Sequence, residues 1–484
     1  MDMKLKKFIC IICIMILSIM LFTACGDQTK QTNQVDPPNF ANVTVHDPSV
    51  IKTEDTYYVF GSHLASAKSI DLMNWTQIST TPHTGNKLIP NVKEEMAEAL
   101  QWAQTDTFWA PDVIRLNDGR YYMYYCNCKG DQPLSCLGIA VSDNIEGPYK
   151  NLGIILKSGK GQSPDGSLYN ANFHPNVVDP HVFFDKEGKL WMVYGSYSGG
   201  IFIMEMDPDT GFPLPGQGYG KKLLGGYHAR IEAPYILYSP ETDYYYLFLS
   251  FGGLDSNGAY NIRVARSKNP DGPYEDKKGQ DMIDCMGKAG ILFHDPSIEP
   301  YGTKLIGNYQ FLNTAEEPEG NTIGYLSPGH NSAFYDEDLD KYFIFFHTRF
   351  VNRGEQHEVR VHQMFMNQDG WPVIAPFRYG GETIGKYKKK DIVGTYKLIN
   401  HGDDITAEAK TSVPIELHKD GTVTGSYNGS WTLSNGNEME LNLDGTIYRG
   451  VVLRQWDTDN NQKVMVFTLL SESGITVWGS KTIN

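Results

Sequence analysis

Three carboxylates in this chain stand at the starts of aromatic-rich strands, although more than fifty residues separate each from the next: Asp47 in HDPSV, Asp179 in VDPHV and Glu232 in IEAPY. Asp before Pro is common turn chemistry, because Asp caps the local backbone and Pro fixes φ. That accounts for HDP, VDP and the Asp112 of APDV as punctuation. It does not account for Glu232, since Glu has no particular turn preference. Three carboxylates facing one cavity repel one another, which costs stability unless their pKa values separate. Separated pKa values are what acid–base catalysis uses. Hydrolysis of a glycosidic bond takes one carboxyl that stays protonated for the leaving oxygen and a second, ionised, that activates water or attacks. A third acid nearby can raise the donor's pKa and hold it in place.

Some architecture must bring the three together, and the chain repeats itself in a way that would. Five segments run from a turn into the same pattern of apolar strand, polar hairpin and aromatic strand. They are HDPSVIKTEDTYYVFGS from His46, WAPDVIRLNDGRYYMYY from Trp109, VDPHVFFDKEGKLWMVYGS from Val178, IEAPYILYSPETDYYYLFLS from Ile231 and HNSAFYDEDLDKYFIFFHT from His330. Self-similarity at this period marks a radial or solenoid repeat. Residues 41–385 hold all five, at roughly 69 residues each, the size of a four-stranded propeller blade. The expected fold is all-β: a five-bladed β-propeller in which Asp47, Asp179 and Glu232, at neighbouring columns of the repeat, converge on the axis. GIAVSDNIEGPYK from Gly138, NIRVARSKNPDGPYED from Asn261 and HEVRVHQMFMNQDGWPV from His357 echo one another as outer strands.

Two segments depart from the repeat. Residues 91–104 have the spacing of a short amphipathic helix, read as a surface insertion between blades one and two. Residues 391–484 alternate in short strands broken at KDG, YNG, LDG and ESG. They predict a separate small antiparallel barrel or sandwich with a stabilising role, contact with glycan being the alternative.

Composition agrees. Aromatics are 12% of 484 residues, with 29 Tyr and 48 Gly, a balance suited to short strands and Gly-rich turns. A net charge of −15 would repel a phosphate backbone, which argues against nucleic acid as a partner. Lys4, Lys6 and Lys7 precede an apolar run over residues 8–22 that is too short to span a bilayer, so residues 1–25 read as an export signal. Ala24–Cys25 resembles a bacterial lipoprotein cleavage box, which would leave Cys25 lipidated on the outer face of the cell membrane and residues 26–40 as a polar tether. Ordinary secretion with cleavage near Ala24 is the alternative. Either way the expected protein is extracellular, and it is expected to be a monomer. Cys126, Cys128 and Cys136 fall around one hairpin where a single bridge is possible, and Cys285 stands apart. They read as buried thiols.

HDPSV, WAPDV, NVVDPHVFFD, YGSYSGGI, IEAPYI and SPGHNSAFYD, in this order, resemble the serial motifs of family 43 glycoside hydrolases, most closely the endo-α-1,5-L-arabinanases. The C-terminal module resembles the β-barrel appended to a subgroup of the bacterial enzymes. The resemblance implies a five-bladed propeller that hydrolyses arabinan with inversion. Asp47 would be the general base, Glu232 the general acid, and Asp179 the residue that tunes and orients the acid. An inverting pair stands ~6.5–9.5 Å apart, leaving room for the attacking water. Trp109 would stack on an arabinose ring, its alternative being blade packing, and Asn176 and Ser196 would be polar groups of the cleft. His330 of SPGHNS would hold one divalent ion, calcium, largely through waters, since imidazole is a poor calcium ligand. The second HDPS, at residues 294–297, lacks the aromatic strand pair, and its Asp295 reads as turn chemistry.

Other functions fit less of the chain. Retaining fructan and sucrose hydrolases share the five-bladed plan, but Val178 and Ala233 replace the Arg and Cys of their RDP and EC motifs. Exo-acting α-L-arabinofuranosidases and β-xylosidases often have a larger C-terminal sandwich closing the cleft, so the small module here favours internal cutting. A glycan-binding lipoprotein with an inactive propeller would need none of the three acids.

Overall fold

The computed structural model describes residues 37–483 apart from 294, 315, 316 and 318–321. The expectations for the export signal, Cys25 and residues 26–36 of the tether lie outside the described residues. Five sheets follow one another along the chain as the blades of a propeller, antiparallel and hydrogen-bonded in sequence order except for one short parallel strand added to the fifth. The innermost strands are Ser49–Thr53, Trp109–Arg115, His181–Phe184, Ile231–Ser239 and Tyr325–Asp336. The aromatic runs lie next to them: Tyr121–Cys128 is buried at every position, and Tyr244–Phe251 and Lys341–Phe350 at all but the first. A strand sandwiched between two neighbouring blades has no solvent face, so hydrophobic alternation disappears from its sequence.

The ring closes where the segment before blade one meets blade five. The Val359 N–H donates to the Val43 carbonyl at 3.1 Å, and Ser332 Oγ donates to the Pro48 carbonyl at 2.7 Å. Lys52 Nζ sits 3.0 Å from Asp336.

The insertion is helical but not one helix. Val92–Glu95 and Ala97–Ala103 are separated at Met96, whose φ of −108° and ψ of 17° leave the helical region. Val92, Met96, Ala99 and Ala103 are all buried in one core with Phe60, Tyr125 and Cys136, so the amphipathic spacing holds across the break. The four described cysteines are free and buried. Asn127, not Cys126 or Cys128, pairs with Cys136 across the hairpin. Side chains alternate faces along a strand, so Cys136 points away from the other two into a different core.

The C-terminal segment forms a closed eight-stranded barrel, not a sandwich, from Gly394–Asn400 to Thr476–Lys481. Tyr396, Ile415, Trp431, Leu441 and Phe467 belong to the core that fills it. Ile399, Val451, Leu453 and Trp478 instead join Tyr309, Tyr325, Phe346 and Trp371 in one shared core with blade five. Lys410–Thr411 adds a strand beside Tyr309–Gln310 of that blade's sheet. Two buried cations complete the join. Lys304 Nζ donates to the His401 and Asp404 carbonyls, and Arg263 to the carbonyls of Tyr301 and Asp403.

Candidate active site

Each innermost strand carries the same backbone reversal, at or near its start in blades one to four and inside the longer strand of blade five. Asp47, Ala110, Asp179, Ala233 and His330 have φ of 58°, 22°, 55°, 55° and 46°, the left-handed region, and Pro follows all but His330. Such a conformation costs ~1–3 kcal/mol at a non-glycine residue and persists only where the surroundings enforce it. These five residues line a narrow channel along the propeller axis. The residues just before them form a second column, from which His46, Trp109, Val178 and Glu232 face a cleft above the channel. Glu232 is therefore one position out of register with Asp47 and Asp179, and Ala233 takes the place equivalent to theirs. The two columns deliver Asp47, Asp179, Glu232, His330 and Trp109 to one cavity of about 500 Å³, where Asn176 and Ser196 also lie. All seven residues singled out from sequence share its wall.

The acids are buried and differ in electrostatics. Burial alone would raise the Asp47 pKa, but the adjacent His330 and His46 outweigh it and hold the carboxyl well below its ordinary value. His46 Nδ1 and His330 Nδ1 stand 2.7 and 3.0 Å from Asp47 Oδ1, and Ser62 Oγ donates to Oδ2. Asp179 goes the other way. Burial pushes its pKa up to about 8; His330 offsets part of this, while Glu232 and Asp47 add to it. For His330 burial works against the charge, but Asp47 and Asp179 prevail and raise its pKa to about 9. Glu232 accepts from Ser196 Oγ at 2.7 Å and from the Tyr260 hydroxyl. Burial, followed by the Glu232 charge, keeps that phenol protonated. The group holds an ionised carboxylate, Asp47, at one end and a proton-retaining carboxyl, Asp179, beside Glu232 at the other.

Ser196 thus sits on the acid. Asn176 donates toward Cys128 Sγ at 3.9 Å and accepts from Ser135. Trp109 is fixed by its Nε1, which donates to the Cys128 carbonyl at 3.2 Å, and its ring tilts against His63 at 5.2 Å. Asp112 lies off the site: it accepts from Ser49 and, at 2.6 Å, from the Val182 N–H, bracing blades one, two and three. Asp295 caps a short 3-10 turn by accepting from the Ser297 N–H at 2.9 Å.

Several members of the site had not been singled out in the sequence. His347 Nδ1 accepts from the Asp47 N–H at 3.2 Å, and its ring stacks on His46 at 3.9 Å. Burial lowers the His347 pKa and keeps it neutral. His46 was visible inside HDPSV, but Ser62, Tyr260 and His347 lie within or beside ordinary strands and carry no local signal. His330 and Asn331 line the channel, and both polar atoms of the Asn331 amide are buried without a partner, as expected of a group that faces water or an ion. Ligand atoms of His46, Asp47 and His347 also cluster within 4.8 Å. These three are already engaged with one another.

A profile for glycosyl hydrolases family 43 matches residues 39–291, and one for a C-terminal lipocalin-like domain of that family matches residues 376–479. The chain is 60% identical over 471 residues to an extracellular endo-α-(1→5)-L-arabinanase of Bacillus subtilis, covering 97% of this chain and 98% of the relative. It superposes on a family 43 glycoside hydrolase of Bacillus licheniformis with a TM-score of 0.90 and 63% identity, covering 92% of this chain and 100% of the other. An endo-1,5-α-L-arabinanase of Thermotoga petrophila gives 0.88 and 54%, with the same coverage.

Proposed function

Because the chain belongs to glycosyl hydrolases family 43, we propose that it is an extracellular endo-arabinanase that cuts internal α-1,5-linked L-arabinofuranosyl bonds with inversion. The observation that carries this reading is the meeting of three buried carboxylates, with opposed electrostatics, in a cavity of about 500 Å³. That volume lies in the usual range for small-ligand sites. Asp47, ionised, takes a proton from a water whose oxygen attacks the anomeric carbon. The glycosidic C–O bond breaks on the opposite face, and Glu232 gives its proton to the leaving oxygen. Asp179, whose pKa burial raises with help from the Glu232 charge, retains a proton at neutral pH and would orient the acid. Trp109, Asn176 and Ser196 would bind or orient the sugar.

A mostly hydrated divalent cation, expected to be calcium, would be held by His330, which would have to give up its proton, and by the unpartnered Asn331 amide. When bound it supplies fixed positive charge beside the acids. Internal cutting is supported by the names of the Bacillus subtilis and Thermotoga petrophila relatives. It is also supported by the barrel's position, since among the described residues none from the barrel lines the cavity. Attachment through a lipid on Cys25 rests on the cleavage-box resemblance alone, and membrane release by Cys25→Ala tests it. For the activity itself, viscosity of linear arabinan falling well ahead of the release of reducing ends supports endo action. Arabinose as the sole early product would overturn it.

A further inference from the structure

On the blade-four side of the acids the cavity wall is built by Tyr197 of YGSYSGGI and by four residues outside the motifs: His228, Arg230, Leu254 and Phe293. Phe293 is 44% exposed and is held with φ of 63° in the left-handed region. Its ring meets those of Tyr197 and His228 at 5.9 and 6.4 Å, and the Arg230 guanidinium lies 6.0 Å from its centroid. Arg230 rests directly on Gly253, where a Cβ would come within 2.3 Å of the guanidinium. Its Nε is buried with no hydrogen-bond partner. An exposed aromatic face with a guanidinium beside it, held by Tyr197, suits a sugar, which offers a C–H face to the ring and hydroxyls to the cation.

The connections of this wall say which sugar. Tyr197 is anchored by its N–H to the Ile231 carbonyl at 2.9 Å and by its hydroxyl to the Gly252 carbonyl at 3.3 Å, while its neighbour Ser196 bonds Glu232. The wall is therefore continuous with Glu232. Trp109, across the cavity, is continuous with Asp47: the N–H of Ala110 donates to Ser62 Oγ at 2.9 Å, and Ser62 bonds Asp47. In an acid–base cleavage the attacked sugar faces the base and its water, and the departing segment faces the acid. We infer that Phe293 and Arg230 form the binding site for the leaving, reducing-end segment of the arabinan chain, with Trp109 on the opposite side serving the segment attacked by water. This inference rests on the proposed activity and adds direction to the cleft.

The test uses the full chain and linear α-1,5-arabino-oligosaccharides labelled at the reducing end, with the distribution of cut bonds as the readout. Losing a binding contact on the leaving side makes the substrate slide to fill the other side. Phe293→Ala is expected to move cleavage toward the reducing end and to lower kcat/KM on the order of tenfold, whereas Phe293→Trp keeps the wild-type pattern. Gly253→Ala, which displaces the guanidinium without removing it, is expected to shift cuts the same way. Trp109→Ala is expected to shift them toward the non-reducing end. Phe293→Ala with an unchanged pattern and unchanged kcat/KM, or with a shift to the non-reducing end, would overturn the inference alone. A folded wild type that cuts none of these substrates would overturn the proposed activity, and the inference with it.

Discussion

Asp47 and Asp179 occupy the same place in blades one and three, each with a left-handed backbone just before proline, yet their surroundings drive their carboxyls in opposite directions. Asp47 lies against two imidazoles and stays ionised. Asp179 is buried between two other carboxylates and retains a proton. Radial repetition supplies identical positions, and the neighbours of each position supply the difference. That is how a symmetric fold houses an asymmetric reaction.

The first consequence is a contrast between the two HDPS sequences. Asp47→Ala and Glu232→Ala are expected to lower kcat on linear arabinan at least a thousandfold, at the upper reach of acid–base effects. Asp295→Ala is expected to leave kcat unchanged and cost about 1 kcal/mol through loss of a cap. Steady-state kinetics and thermal melts of the three variants check this. An active Asp47→Ala enzyme would contradict the assignment.

Proton retention at Asp179 sets an upper pH limit. With its pKa pushed up to about 8, Asp179 loses its proton as pH rises through that value, so kcat should fall on an alkaline limb near pH 8. The stability effect follows from the same shift. A folded pKa above the unfolded value gives a contribution that is complete below about pH 4 and is lost as pH rises through the folded pKa. Asp179→Asn removes that loss. It should raise Tm more at pH 8.5 than at pH 5 while reducing kcat, and a Tm gain that does not grow with pH would count against the raised pKa.

How much of this was legible beforehand depended on range. Aromatic strands after turn residues at a fixed period disclosed the blades, since sandwiched strands need apolar side chains on both faces, and the shared register brought Asp47, Asp179 and His330 to the axis. Glu232 was found although it is one position out of register, because Glu is an odd choice at a turn. Tyr260 and His347 could not be found in this way. Each is one more aromatic or imidazole in or beside a buried strand; the folding of blade four brings Tyr260 to Glu232, and the closure of blade five on blade one brings His347 to Asp47. Phe293 and Arg230 were hidden for the complementary reason that they lie on loops outside the repeat. The break at Met96 was also unreadable, since the apolar spacing continues through it.

Gly329 offers a way to perturb Glu232 without touching it. A Cβ at this position would meet the Tyr260 ring at 2.0 Å, and Tyr260 is the donor to Glu232. Gly329→Ala is expected to cost about 1–3 kcal/mol by overpacking and to lower kcat more than Tyr260→Phe does, because it moves the ring as well as disturbing the bond. Denaturation midpoints and kcat for the two variants decide it; equal kcat would mean the ring had not moved.

The barrel's role should separate from catalysis. Trp478 is fully buried in the core shared with blade five, with ring centroids 5.0 Å from Tyr309 and 4.4 Å from His401. Trp478→Ala is expected to cost about 3–5 kcal/mol, while kcat of the folded fraction stays near wild type. A large loss of kcat at a temperature where the variant remains folded would instead tie the barrel to the cleft.

Proton NMR of linear α-1,5-arabinan during the first minutes of digestion reads both the bonds cut and the anomer released. The account predicts a mixture of oligosaccharides whose new reducing ends appear first as the β-anomer, the inverted product of Asp47-activated water and Glu232 protonation. New reducing ends appearing first as the α-anomer, or free arabinose alone, would contradict it.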